Sequence, residues 1–164
     1  MHKVYLLTGS NLGDKKYYLD KAKRSLDKGI GTLLAESSIY ESEPWGFVAK
    51  DTFFNQILLY ETELSPHKIL KIIQKIETQN GRVRLNTGYS SRNLDIDILF
   101  YDNLTVNSPD LIIPHPKLHE RKFTLLPLSE LAPDMKHPIL NITVKQMLAQ
   151  CKDIGTVSEL PRIF

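Results

Sequence analysis

Asp95-Ile96-Asp97 is the feature of this chain best suited to chemistry. It falls within Leu94 to Tyr101, an apolar run that reads as a strand. Strand side chains alternate, so Asp95 and Asp97 share a face while Leu94, Ile96, Ile98 and Phe100 take the other. Neighbouring carboxylates repel, and a cation between them keeps both ionised. Mg²⁺ takes such oxygen ligands and completes its shell with water and substrate phosphates. By itself, the pair also fits a solvated strand face.

The preceding twelve residues, 82–93, hold Arg82, Arg84 and Arg92 and no acid. Guanidinium groups grip phosphate oxygens with a planar fork. A connection that long without periodicity is a binding loop, a lid or a disordered stretch. Twin carboxylates beside a cationic loop are what a metal–triphosphate site requires. An exposed basic loop is the plainer alternative. In Phe53 to Leu64, Phe53 and Asn55 share one strand face and Phe54 and Gln56 the other. A ring beside an amide suits a flat heterocycle with a hydrogen-bonding edge, or equally a core residue at a sheet end. Gln74 and Glu77 lie off a helical isoleucine stripe, where a solvated face would account for them. His115 sits between Pro114 and Pro116, and Arg121 and Phe123 follow closely.

These residues need a scaffold. Val4 to Thr8 reads as a strand entering a turn at Gly9-Ser10-Asn11. Residues 14–28 read as an amphipathic helix through Leu19, Ala22 and Leu26, ended by Gly29 or Gly31. Strands are expected at 33–42 and 53–64, with a loop from 43 to 52. Ser65-Pro66 starts a second helix with Ile69, Ile73 and Ile76 as its core stripe, stopped at Gly81. Helical patterns recur at 117–131 and 143–150. The order β-α-β-β-α-β predicts an α+β, ferredoxin-like sandwich. Its sheet is largely antiparallel, helices cover one face, and the other is left for a site.

At 164 residues one domain is expected, with 41% hydrophobic and 24% charged residues as in ordinary globular chains. A net charge of +2 gives no bulk attraction to nucleic acid or membrane. No run approaches the roughly 20 apolar residues of a membrane-spanning helix. Cys151 is the sole cysteine, which excludes an intrachain disulfide and a cysteine-based zinc site and suits the cytoplasm. No Walker A loop, G-x-G-x-x-G or G-x-S-x-G motif is present. The aromatic signature of an RNA-recognition sheet is also absent.

Taken together, one ordered set resembles the hydroxymethyldihydropterin pyrophosphokinase family of folate biosynthesis. It comprises Gly9-Ser10-Asn11-Leu12, Tyr40-x-Ser42-x-Pro44-x-Gly46, Phe53-x-Asn55 and Glu77-x3-Gly81-Arg82-x-Arg84. It continues with Arg92-x2-Asp95-Ile96-Asp97, Pro114-His115 and Arg121-x-Phe123. The resemblance runs from about residue 3 to 150. It implies transfer of pyrophosphate from ATP to 6-hydroxymethyl-7,8-dihydropterin by a monomer that binds neither nucleic acid nor membrane. It implies two Mg²⁺ ions on Asp95 and Asp97, and catalytic roles for Arg82 and Arg92 beside them. Gln74, Glu77, Arg84, Arg92, Ile98, His115 and Arg121 would surround ATP. Phe53 and Phe123 would sandwich the pterin, with Ser42, Glu43, Trp45 and Asn55 on its polar edge. The segments 43–52 and 82–93 would close over both substrates. Tyr89 stands where the family commonly has tryptophan, and Phe53 where tyrosine is also found. Residues 152–164 receive no role. The alternatives are another Mg-ATP-dependent phosphotransferase on the same scaffold, or a nucleotide-binding module without turnover.

Overall fold

A computed structural model describes residues 1–44, 51–81 and 93–162. Its first strand is β1 (His2–Ser10). Helix α1 (Lys15–Gly29) follows, capped by Asp14, whose side chain accepts the Tyr17 N–H, and buries Leu19, Ala22 and Leu26. The predicted strand at 33–42 is two strands, β2 (Thr32–Glu36) and β3 (Tyr40–Ser42). Ser37 makes the break. Its N–H donates to the Ile57 carbonyl and its hydroxyl accepts the Ile57 N–H, each at 2.9 Å, so a side chain replaces part of the ladder. Next come β4 (Phe53–Thr62) and α2 (Pro66–Gln79), with Ser65 as N-cap and Pro66 in the first turn, as expected.

β5 (Asp95–Tyr101) follows, and then a small ribbon of β6 (Val106–Asn107) and β7 (Ile112–Ile113). After a 3₁₀ turn at Leu118–Glu120 come α3 (Lys122–Leu131), α4 (Val144–Gln150) and β8 (Val157–Glu159). The main sheet runs β5-β1-β4-β3-β8, with β2 also on β4, and every pairing is antiparallel. This is the predicted α+β sandwich. No helix among the described residues is long and apolar enough to cross a membrane.

The sheet has a core on each side. Val4, Leu6, Leu58, Tyr60, Ile96 and Ile98 pack with Ala22 and Leu26 of α1 and Ile69, Ile73 and Ile76 of α2. On the reverse, Leu7, Ile57, Leu99 and Phe100 pack with Leu118, Leu125, Leu128, Val144 and Met147. The second face, expected to be open, is thus partly covered by α3 and α4. Phe100 also departs from the expected alternation. The register between β1 and β5 slips between Tyr5 and Leu6, leaving Leu99 as the extra residue and turning Phe100 to the second core. Asp95 and Asp97 precede the slip and keep the expected face.

α1 runs through Gly29, and the chain turns at Gly31. At Gly31 φ is +156°, and a Cβ would lie within 2.0 Å of the Glu61 carbonyl oxygen. At Gly29 the nearest atom to a Cβ would be Ile72 Cγ2, at 3.2 Å. Gly31→Ala is therefore expected to lower the unfolding free energy by more than about 1 kcal/mol, and by more than Gly29→Ala does. Urea denaturation of the two variants checks this ordering.

Candidate active site

Sheet register brings the site together. Directly opposed residues present their side chains on the same face. One row across the sheet reads Tyr40, Asn55, Gly9, Asp95; the next reads Ile57, Leu7, Asp97. Ser42 opposes Phe53 one step further along β4. The acidic pair and the Ser42–Phe53–Asn55 group therefore share one face, two strand spacings apart, or about 10 Å. Gly9 lies between them. A Cβ there would fall 2.6 Å from Asn55 Nδ2, so glycine is what leaves the amide its place.

Asp95 and Asp97 are half-buried, while Leu94, Ile96 and Ile98 between and around them are buried. Glu77 lies behind the pair. At 4% exposure it is not on a solvated helix face, and its Oε2 accepts the Ile96 N–H at 2.9 Å. It thus holds the backbone link between the two aspartates. Gln74, one turn earlier on α2, is half-buried, and its backbone carbonyl accepts the Thr78 hydroxyl. Ile98, expected beside adenine, is in the first core, on the face opposite the acids. Arg82, Arg84, Arg92 and Trp45 lie outside the described residues, as do most of the two segments expected to close.

His115 approaches from the second layer, with Nε2 4.0 Å from Asp97 Oδ2. Its N–H donates to the Leu99 carbonyl at 3.0 Å, which fastens the proline-bracketed segment to β5. Its Nδ1 accepts the Lys117 N–H at 3.1 Å, so the neutral ring carries its proton on Nε2, toward Asp97. Burial, reinforced by the charges of Arg121 and Lys117 and opposed by Asp95, lowers its pKa from 6.5 to about 4. Arg121 is buried, and its guanidinium carbon stands 5.7 Å from the Phe123 ring centroid. One turn of chain thus supplies a cation to the acidic side and an aromatic ring beside it.

On the other side, Ser42 and Asn55 are 3% and 5% exposed. Ser42 Oγ and Asn55 Oδ1 are buried with no hydrogen-bond partner among the described residues. Asn55 Nδ2 makes a long contact, 3.4 Å, to the Thr8 carbonyl. Buried polar atoms of this kind ordinarily have a partner, so a polar ligand edge is what they suit. Phe53 is half-buried beside them, and Glu43 is exposed, its N–H directed to the Thr156 carbonyl at 3.4 Å.

One group escaped the sequence reading. Lys15 Nζ donates to the Thr52 carbonyl and hydroxyl at 2.9 and 3.2 Å, and the Thr52 hydroxyl donates to Glu41 at 2.7 Å. This links the start of α1 and β3 to the far end of segment 43–52. No spacing rule signals it, since the three residues are distant in sequence.

Comparison with known proteins decides the family. The family model described as 7,8-dihydro-6-hydroxymethylpterin-pyrophosphokinase (HPPK) matches residues 5–133. The chain belongs to this family. It is 44% identical over 138 residues to the 2-amino-4-hydroxy-6-hydroxymethyldihydropteridine pyrophosphokinase of Porphyromonas gingivalis, covering 82% of this chain and 93% of that protein. Identity to the protein of the same name from Methylorubrum extorquens is 38% over 156 residues, covering 94% and 97%. The folic acid synthesis protein FOL1 of Dictyostelium discoideum is 40% identical over 158 residues, 96% of this chain. The chain spans about a quarter of that longer relative, 24%. Among solved structures, a Plasmodium falciparum HPPK-DHPS with pteroate superposes with a TM-score of 0.76 at 16% identity, over 91% of this chain and 44% of that one. At that identity the likeness speaks for the HPPK fold.

The electrostatics of His115 yield a test. In metal-free protein its ring is expected to remain neutral and Nε2-protonated well below its ordinary 6.5, titrating near about 4. The ¹⁵N shifts of the ring across a pH series measure this. A midpoint near 6.5 would contradict the buried, cation-flanked placement.

Proposed function

We propose that this chain transfers a pyrophosphoryl group from ATP to the hydroxymethyl group of 6-hydroxymethyl-7,8-dihydropterin and releases AMP, within folate synthesis in the cytoplasm. The observation that carries this reading is one sheet face with paired carboxylates at one end and, at the other, Ser42 and Asn55 oxygens that have no partner among the described residues, the two ends separated by Gly9. A phosphate chain with its metals suits the first end and a flat, polar-edged heterocycle the second.

Asp95 and Asp97 fit magnesium as the substrate brings it. Among the described residues no cluster of three or more His, Cys, Asp or Glu could hold a metal. Two carboxylates suffice when phosphate oxygens and water complete the shell. We assign two Mg²⁺ ions to the pair. Bound there, magnesium neutralises phosphate oxygens and aligns attacking and leaving groups.

The protein's residues do the positioning. Asn55 and Ser42, with Glu43 and Trp45 along the same edge, orient the pterin, and Phe53 and Phe123 stack on its two sides. The hydroxymethyl oxygen then points along the face, past Gly9, toward the aspartates. It bonds to the β-phosphorus as the bond from that phosphorus to the bridging oxygen of the α-phosphate breaks. The hydroxyl proton passes to water, and AMP leaves with the bridging oxygen. Such transfers need little covalent help and much placement. Arg121 supplies positive charge on the nucleotide side, and neutral His115 supplies an Nε2–H donor. Gln74 and Arg84 complete the ATP side, Glu77 holds the strand that carries the aspartates, and Arg82 and Arg92 offset charge developing in the transition state.

AMP, not ADP, is expected, and only with Mg²⁺ and the hydroxymethylpterin both present. Chromatography of the nucleotides after incubation with and without the pterin reads this directly, and ADP would reject the assignment. Asp95→Ala and Asp97→Ala are each expected to reduce turnover by at least about 10³-fold while the circular-dichroism melt stays near that of the parent. Near-normal turnover in both would remove the metal from that site.

A further inference from the structure

The second core layer carries a contact that the proposed chemistry does not use. Glu130 is seven residues beyond Phe123 on α3, two turns along roughly the same side of the helix. Its carboxylate reaches β3. The Ser38 N–H donates to both oxygens, at 3.2 and 3.0 Å, and the Tyr40 hydroxyl donates to Oε1 at 2.9 Å. From the C-terminal segment, Arg162 Nη2 donates to Oε2 at 3.2 Å and Arg162 Nε to the Ser38 hydroxyl at 3.0 Å. An isolated surface ion pair would contribute little. A carboxylate that accepts from backbone, phenol and guanidinium together is a directional clamp.

What it clamps is the backing of the heterocycle pocket. Tyr40 is 7% exposed and opposes Asn55 across the β3–β4 ladder; Ser42, two residues on, opposes Phe53. Burial, and then the Glu130 carboxylate, raise the Tyr40 phenol above its ordinary range, so it stays a donor. β8 completes the clamp from outside, with Glu159 opposite Tyr40 and Val157 opposite Ser42, and the Leu160 N–H donates to the Ile39 carbonyl at 2.8 Å. The segment to which the sequence assigned no role is the outer rail of β3.

We infer that Glu130, acting through Tyr40 and tied to the C-terminal strand by Arg162, is a positioning residue for the pterin half of the site. It sets the gap between Phe123 on α3 and the wall formed by Ser42, Phe53 and Asn55. This rests on the assignment of that pocket to the pterin. Loss of the clamp loosens one substrate site and leaves the acidic pair, two strands away, as it was.

The test is a two-stage titration of the 164-residue chain, with Mg²⁺ and a non-hydrolysable ATP analogue first and 6-hydroxymethyl-7,8-dihydropterin second. Parent, Glu130→Ala, Glu130→Gln, Tyr40→Phe and Asn55→Ala are compared well below their melting temperatures. Glu130→Ala and Tyr40→Phe are expected to raise the pterin Kd by about tenfold, the scale of a displaced positioning contact, while the analogue Kd moves by less than about twofold. Glu130→Gln keeps an acceptor and is expected to fall between parent and Glu130→Ala. Should Glu130→Ala fold poorly, Tyr40→Phe removes a single hydroxyl and carries the test. An unchanged pterin Kd in Glu130→Ala and Tyr40→Phe, with Asn55→Ala weakened, overturns the positioning role alone. Equal weakening of both ligands also overturns it, since that is general loosening. If Asn55→Ala binds pterin like the parent, the pocket assignment fails and the positioning role falls with it.

Discussion

The site depends on the pinning of β5, which among the described residues is an edge strand of the main sheet paired only with β1. Leu94, Ile96 and Ile98 sink into the first core, which turns Asp95 and Asp97 to the other face. β1 leaves the Ile96 N–H unused, and the buried carboxylate of Glu77 accepts it. A hydrogen bond of this kind is worth about 1 kcal/mol. Its larger effect is geometric. Two mutually repelling carboxylates push on a strand that has a neighbour on one side only, and Glu77 grips the peptide between them. His115 adds a second grip through the Leu99 carbonyl.

Where the chain keeps a simple period, the site could be read in advance. The alternation of Asp95-Ile96-Asp97 and of Phe53-Phe54-Asn55-Gln56 located Asp95, Asp97, Phe53 and Asn55 on one face, because burial of one face fixes the other. Ser65-Pro66 marked the start of α2 for an equally local reason. Glu77 was misjudged because nothing in a helical pattern announces that a carboxylate will be buried under a strand 19 residues on. Phe100 was misplaced because the slip beside Tyr5 is a property of two strands and not of one.

The second layer was the harder part. Proline-punctuated residues after 110 showed helical patterns, but their docking onto Leu7, Ile57 and Phe100 depends on long-range packing. β8 is three residues long with no apolar alternation, and it exists because β3 offers it an edge. No pattern in the sequence singles out Glu130, yet it joins three parts of the chain separated by up to 124 residues. The family resemblance located residues along the chain without saying which of them lie back to back, and that information resides in register.

Register also limits how the two halves of the site can change. The separation between the amide and the acids is counted in whole strands across β4, β1 and β5, so it comes in steps of about 4.8 Å. Moving either group along its own strand by one residue would flip it through the sheet. The scaffold is thus a ruler with coarse graduations: it offers one span between heterocycle and phosphate, and finer adjustment falls to the side chains and loops above it.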